Sequence, residues 1–207
     1  MTTLETAALK LSAPEPLITS VADIISSQLP SYGRRPAIRY DTGSTYKTLD
    51  FTDYVGNINR ALQALASERT RQEIVCTFVK NRPEWDMVAL ATLYGGNILF
   101  PLDTKMHDQE LEHLLVQSPP DVVLVSRASR ERMKRLLDTL GIGARILIAD
   151  LYEVFEDSKA PLLGDLDDRE QCLSSVPVRP GNELPEPSER LDYPDLVLGH
   201  YATSGTT

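Results

Sequence analysis

Apolar residues recur along this chain in two alternating rhythms. Phe51, Tyr54, Val55, Ile58, Ala61, Leu62 and Leu65 step by about three or four positions, which gathers them on one face of a helix. Asp50 stands where its carboxylate can accept a backbone N–H and cap that helix. Glu73–Val79 then shortens to a run rich in β-branched and aromatic residues and predicts a strand. Pro83 suits the first position of the next helix, Glu84–Tyr94, because its missing N–H costs nothing there. That helix is apolar around most of its surface and predicts a sandwiched position, with Gly95 and Gly96 ending it in left-handed backbone angles. Asn97–Pro101, Asp121–Val125 and Arg145–Ala149 predict further strands. Between them, Asp108–Gln117 should turn Leu111, Leu114 and Leu115 inward, and Arg127–Leu140 should turn in Met133, Leu136, Leu137 and Leu140. The nearly pure apolar run at Asp121–Val125 fits a parallel strand covered on both faces. Strand and helix alternate, the pattern of an α/β domain with a largely parallel sheet flanked by helices.

The ends are less regular. Residues 1–16 mix Thr, Ala, Ser and Pro without period and predict a flexible tail. The α/β unit spans 17–149. It opens with a helix over Leu17–Leu29, closed by Pro30, Gly33 and Pro36. A hairpin follows, with strands Ala37–Tyr40 and Thr45–Thr48 around a turn of Asp41, Thr42, Gly43 and Ser44. Residues 150–195 form an acidic, Pro-rich excursion or linker with a short helix expected over Leu151–Phe155. Residues 196–207 predict a strand, Leu196–Tyr201, and the start of a loop.

Charge and composition narrow the function. The net charge is −9, and the acidic excess sits in the 150–195 segment while the remaining chain is balanced. No broad positive surface is predicted, so nucleic acid is not an expected partner. The one basic run, Arg127, Arg130, Arg132, Lys134 and Arg135, predicts a solvated face. Cys76 and Cys172 are far apart and form no metal-ligand pair, and Cys76 reads as a core residue. His107, His113 and His200 are not spaced to share a metal. The longest uncharged run, Met87–Leu102, is interrupted by Gly95, Gly96 and Pro101 and is shorter than the ~20 residues that span a bilayer.

The candidate chemistry lies at the end. Thr203, Ser204, Gly205, Thr206 and Thr207 supply four hydroxyls and a glycine directly after a predicted strand. Hydroxyls and successive backbone N–H groups donate to phosphate oxygens, and glycine permits their close approach. Tyr201–Thr207 resembles the opening of the signature loop of the adenylate-forming superfamily, whose members include acyl-CoA synthetases, luciferases and peptide-synthetase adenylation domains. In the family the loop continues Gly-x-Pro-Lys-Gly; this chain ends before that point. Thr45-Tyr46 ahead of the Phe51–Leu65 helix, Asn59-Arg60-Ala61-Leu62 within it, Asn81-Arg82-Pro83-Glu84-Trp85, Leu99-Phe100-Pro101-Leu102-Asp103 and Glu110-Leu111 are similar to family elements in the same order. Trp85, Pro101 and Asp103 are expected to shape core and turns rather than to catalyse.

The resemblance implies the first α/β subdomain, incomplete, of the family's large N-terminal domain. It implies a ligase that activates a carboxylate with ATP and passes the acyl group to coenzyme A, with Mg2+ beside the nucleotide. By position, Thr203–Thr207 would bind the ATP phosphates. The catalytic residues and the acyl pocket lie downstream in the family, so the isolated chain is expected to be inactive. A fatty acid is the expected substrate, and a cytoplasmic location, peripheral to membrane at most, goes with it. Two other readings stay open. One is a non-catalytic short relative acting as an interaction module. The other is an unrelated nucleotide-binding α/β module, against which the missing G-x-G-x-x-G after the first strand counts.

Overall fold

A computed structural model describes residues 20–67, 71–160, 163–178, 184 and 199. The chain enters through α1 (Val21–Asp23), widens into a π-helical stretch (Ile24–Gln28) and closes in α2 (Leu29–Ser31). This helix passes Pro30 instead of ending there. The Leu29 N–H reaches back five residues to the Ile24 carbonyl, and Pro30 then sits in the first turn of the following segment, where no donor is required.

The hairpin is antiparallel, β1 (Pro36–Asp41) against β2 (Tyr46–Asp50). Its turn is held by the Asp41 carboxylate accepting from the Gly43 N–H at 2.8 Å. Gly43 has φ +86 and lies against the Phe155 ring; a Cβ there would meet the ring at 2.6 Å. Only glycine satisfies both demands.

α3 (Phe51–Leu65) begins where Asp50 accepts from the Asp53 N–H at 2.9 Å, as its sequence predicts. β3 (Ile74–Phe78), α4 (Pro83–Tyr94), β4 (Ile98–Pro101), α5 (Asp108–Gln117), β5 (Val122–Ser126), α6 (Arg130–Leu140) and β6 (Arg145–Ala149) follow in the expected order. α4 stops differently from expectation: Gly95 keeps φ −75, and Gly96 alone, at φ +66, is left-handed.

The sheet is parallel, ordered β4-β3-β5-β6-β7. β7 (Glu170–Cys172) is a strand that the acidic composition of 150–195 hides; that segment is not a simple linker. Nor is Leu151–Phe155 helical. The Leu151 and Tyr152 N–H groups donate instead to Glu84, and a 3-10 turn forms over Phe155–Lys159.

The sheet separates two cores. On one face α3 and α4 bring Ile58, Met87 and Tyr94 against Val75, Val122, Leu124 and Leu147. On the other, α5 and α6 bring Leu111, Leu115, Met133 and Leu137 against Cys76, Phe78, Val123 and Ile146. Every residue of β5 is buried, which is why its sequence shows no alternation. Each buried Val and Leu of β5 contributes about 1.5–3 kcal/mol relative to exposure. Burial also pushes the Cys76 thiol above its ordinary range, consistent with an inert core residue.

The basic run on α6 is not simply a solvated face. Arg130 is buried and forms a two-pronged pair with Glu170 on β7, at 2.6 and 2.7 Å. The Arg130 hydrogen bonds hold the Glu170 carboxyl below its ordinary value of 4.5. A depressed folded-state value means that the pair stabilises the fold above the ordinary value and that this contribution fades as pH falls through the lowered one. Urea midpoints of the native chain should therefore drop, as pH falls below 4.5, more steeply than those of Glu170→Gln. Equal slopes would show that the pair carries no such linkage.

Candidate functional site

The carboxyl ends of β3 and β4 open onto a groove of about 620 Å³. Lys80 and Asn81 follow β3, and Asp103, Thr104 and Lys105 follow β4. Both loops leave parallel strands at the same sheet edge, the edge at which open α/β sheets bind ligands.

Several bonds shape the groove. The Trp85 indole N–H donates to the Thr77 hydroxyl at 3.0 Å, fixing the ring over the end of β3. Asp103 accepts from the Lys105 N–H at 2.9 Å. Arg132 on α6 grips the same loop from beneath, donating to the Thr104 carbonyl at 2.9 Å, to the Met106 carbonyl, and to Asp108 at 2.7 Å. Its guanidinium also lies 5.5 Å from the centre of the Phe78 ring. Trp85 and Asp103 thus form turns and packing, as their sequence context suggests. Lys80 and Lys105 carry positive charge to the groove and went unrecognised in the sequence. The available signal was a lysine directly after a predicted strand at one site and two residues after a Pro-Leu-Asp turn at the other.

The topological switch point lies elsewhere, between β3 and β5. β3 leads to α4 on one face, while β5 leads to α6 on the other. Here the crevice is taken by the 150–160 strap. Arg82, with a wholly buried side chain, donates to both oxygens of Glu84 at 3.0 and 2.9 Å and to the Tyr152 carbonyl at 2.9 Å. It also pairs with Asp157 at 3.2 Å. Glu84 in turn accepts the Leu151 and Tyr152 N–H groups, each at 3.1 Å. The strap's carboxylate therefore stands where a free anion would otherwise enter.

The predicted phosphate-binding residues, Thr203, Ser204, Gly205, Thr206 and Thr207, lie outside the described residues, as does the predicted strand 196–201 except Gly199. Gly199 pairs in parallel with Leu99 of β4. β3 occupies the other side of β4, so Gly199 extends the sheet at the edge of the groove.

The AMP-binding enzyme family model matches residues 26–207. This chain belongs to the AMP-binding enzyme family. Its fold agrees with that of solved structures. The luciferase-like enzyme of the mealworm Zophobas morio superposes with a TM-score of 0.70 at 16% identity, covering 95% of this chain and 42% of that one. The adenylation domain of the carboxylate reductase of Mycobacterium chelonae gives 0.68 at 17%, covering 93% and 33%. In sequence, a long-chain-fatty-acid–CoA ligase of Bos taurus is 22% identical over 197 residues, 91% of this chain and 25% of that protein. The chain therefore spans about a quarter of that ligase. Among the described residues no helix is long and apolar enough to cross a membrane.

Proposed function

We propose that this chain is the opening portion of an adenylate-forming ligase, in which a carboxylate attacks the α-phosphate of ATP to give an acyl-adenylate and pyrophosphate. The observation that carries the reading is the parallel pairing of Gly199 with Leu99, joined to the family match through residue 207. Gly199 lies at the edge of β4 beside the groove, and Thr203, Ser204, Gly205, Thr206 and Thr207 follow it within eight positions of sequence. Their hydroxyls, with the glycine, form a donor set suited to phosphate oxygens. Lys80 and Lys105 add positive potential at the same edge. The work of these groups is positioning and charge stabilisation.

Mg2+ would accompany the nucleotide, but among the described residues no cluster of three or more His, Cys, Asp or Glu is arranged to hold it. No residue of this chain is assigned to the metal. Transfer of the acyl group to coenzyme A, and a fatty acid as substrate, are supported by the resemblance to the bovine ligase. A cytoplasmic location fits such a substrate.

The test is ATP–pyrophosphate exchange, measured on the 207-residue chain and on the polypeptide encoded by the complete reading frame, across a panel of carboxylates. The expected result is no exchange by the 207-residue chain and carboxylate-dependent exchange by the whole polypeptide, strongest with fatty acids. Absence of exchange with every carboxylate would favour the interaction-module reading.

A further inference from the structure

We propose that the cleft between the β1–β2 hairpin and the β3–α4 turn is a second binding site, for a small organic cation bearing a flat amidinium or guanidinium group. The cleft holds about 680 Å³, within the range of small-molecule sites. It is distinct in purpose from carboxylate activation, and it does not depend on the adenylate reading.

Four aromatic rings stand in its walls: Tyr40, Tyr46, Trp85 and Phe155. Two of these are left unusually open for their size, Tyr46 at 59% and Phe155 at 57% exposure. Ring faces attract cations. The cleft already shows this preference internally, because the Arg39 guanidinium sits 4.6 Å from the centre of the Tyr46 ring.

Charge points the same way. Asp86 lies half-buried on the first turn of α4 and lines the cleft. Among the described residues its carboxylate makes no hydrogen bond or ion pair. Burial pushes its carboxyl above the ordinary range, so a cation brought beside it would relieve an existing cost. Asp41 adds a second, exposed carboxylate, which among the described residues accepts only from the Gly43 N–H. The positive groups nearby are already engaged. Arg82 is matched by Glu84 and Asp157, Arg39 lies over Tyr46, and Lys80 has a partner of its own. The unmet demand in the cleft is therefore for positive charge with N–H donors, which a flat amidinium can direct at both oxygens of one carboxylate.

The molecule contains its own reporter. Its single tryptophan, Trp85, lines this cleft. The experiment titrates the 207-residue chain with benzamidine, and in parallel with neutral benzamide, while following tryptophan emission. Benzamidine should give a saturable change and benzamide none. Asp86→Asn, which keeps the side-chain shape and removes the burial cost of the charge, should weaken benzamidine at least about tenfold. Tyr46→Ala, at an exposed site that leaves the core intact, should weaken it about threefold or more. The proposal is overturned by any of three results: no saturable change with benzamidine, an equal response to benzamide, or full affinity retained in Asp86→Asn. Saturation by inorganic phosphate in place of benzamidine would likewise overturn it, since the cleft would then select anions through Arg39 and Lys80.

Discussion

Replacing Arg82 with methionine is expected to cost about 3–5 kcal/mol of folding stability. The side chains of Arg82 and Glu84 are fully buried, and that of Asp157 nearly so. Removing the guanidinium leaves two carboxylates facing each other in a site with little water, and deprives the Tyr152 carbonyl of its donor. The cost is that of an uncompensated buried charge, not the net worth of the pair. It should appear as a lowered urea midpoint followed by circular dichroism. The triple variant Arg82→Met, Glu84→Gln, Asp157→Asn removes the charges together and should recover a large part of the loss. A single variant within about 1 kcal/mol of the native chain would show that the strap is not held by this cluster.

Removing hydroxyls from the proposed phosphate-binding loop should have the largest effect on chemistry. In the polypeptide of the complete reading frame, the pair Ser204→Ala and Thr206→Val is expected to lower ATP–pyrophosphate exchange by about a hundredfold. Donors aimed at developing negative charge act mainly in the transition state, so the loss should fall on kcat more than on KM for the carboxylate. Thr45→Val in the hairpin turn serves as a control, since its neighbours there are Thr42 and Gly43, far in sequence from the loop. Full exchange in the double variant would remove Ser204 and Thr206 from the proposed site.

Much of the architecture was legible because it rests on local periodicity. Phe51–Leu65, Asp108–Gln117 and Arg145–Ala149 have the bounds that their patterns predict. The Asp50 cap needed only a carboxylate three residues before its donor. The family, too, was readable from ordered short motifs and agrees with the match over 26–207. The parts that were missed depend on partners far away in sequence. Glu170 looks like one acid in an acidic stretch until Arg130, 40 positions earlier, comes to meet it. Arg82 and Asp157 lie 75 positions apart. Pro30 looks like a stop, and only a π-widened turn lets the helix continue past it.

The sequence by itself determined the alternation of strands and helices, the Asp50 cap of α3 and the Pro83 start of α4, because each is written in residues within a turn or two of one another. Only the tertiary structure decided that β7 joins the sheet beside β6, that the strap occupies the switch-point crevice, and that Asp86 has no hydrogen-bond or ion-pair partner among the described residues while sharing a cleft with four aromatic rings. Hydrogen-bonding strands and opposite charges select partners by distance in space, and the folded chain brings together residues that no local pattern links.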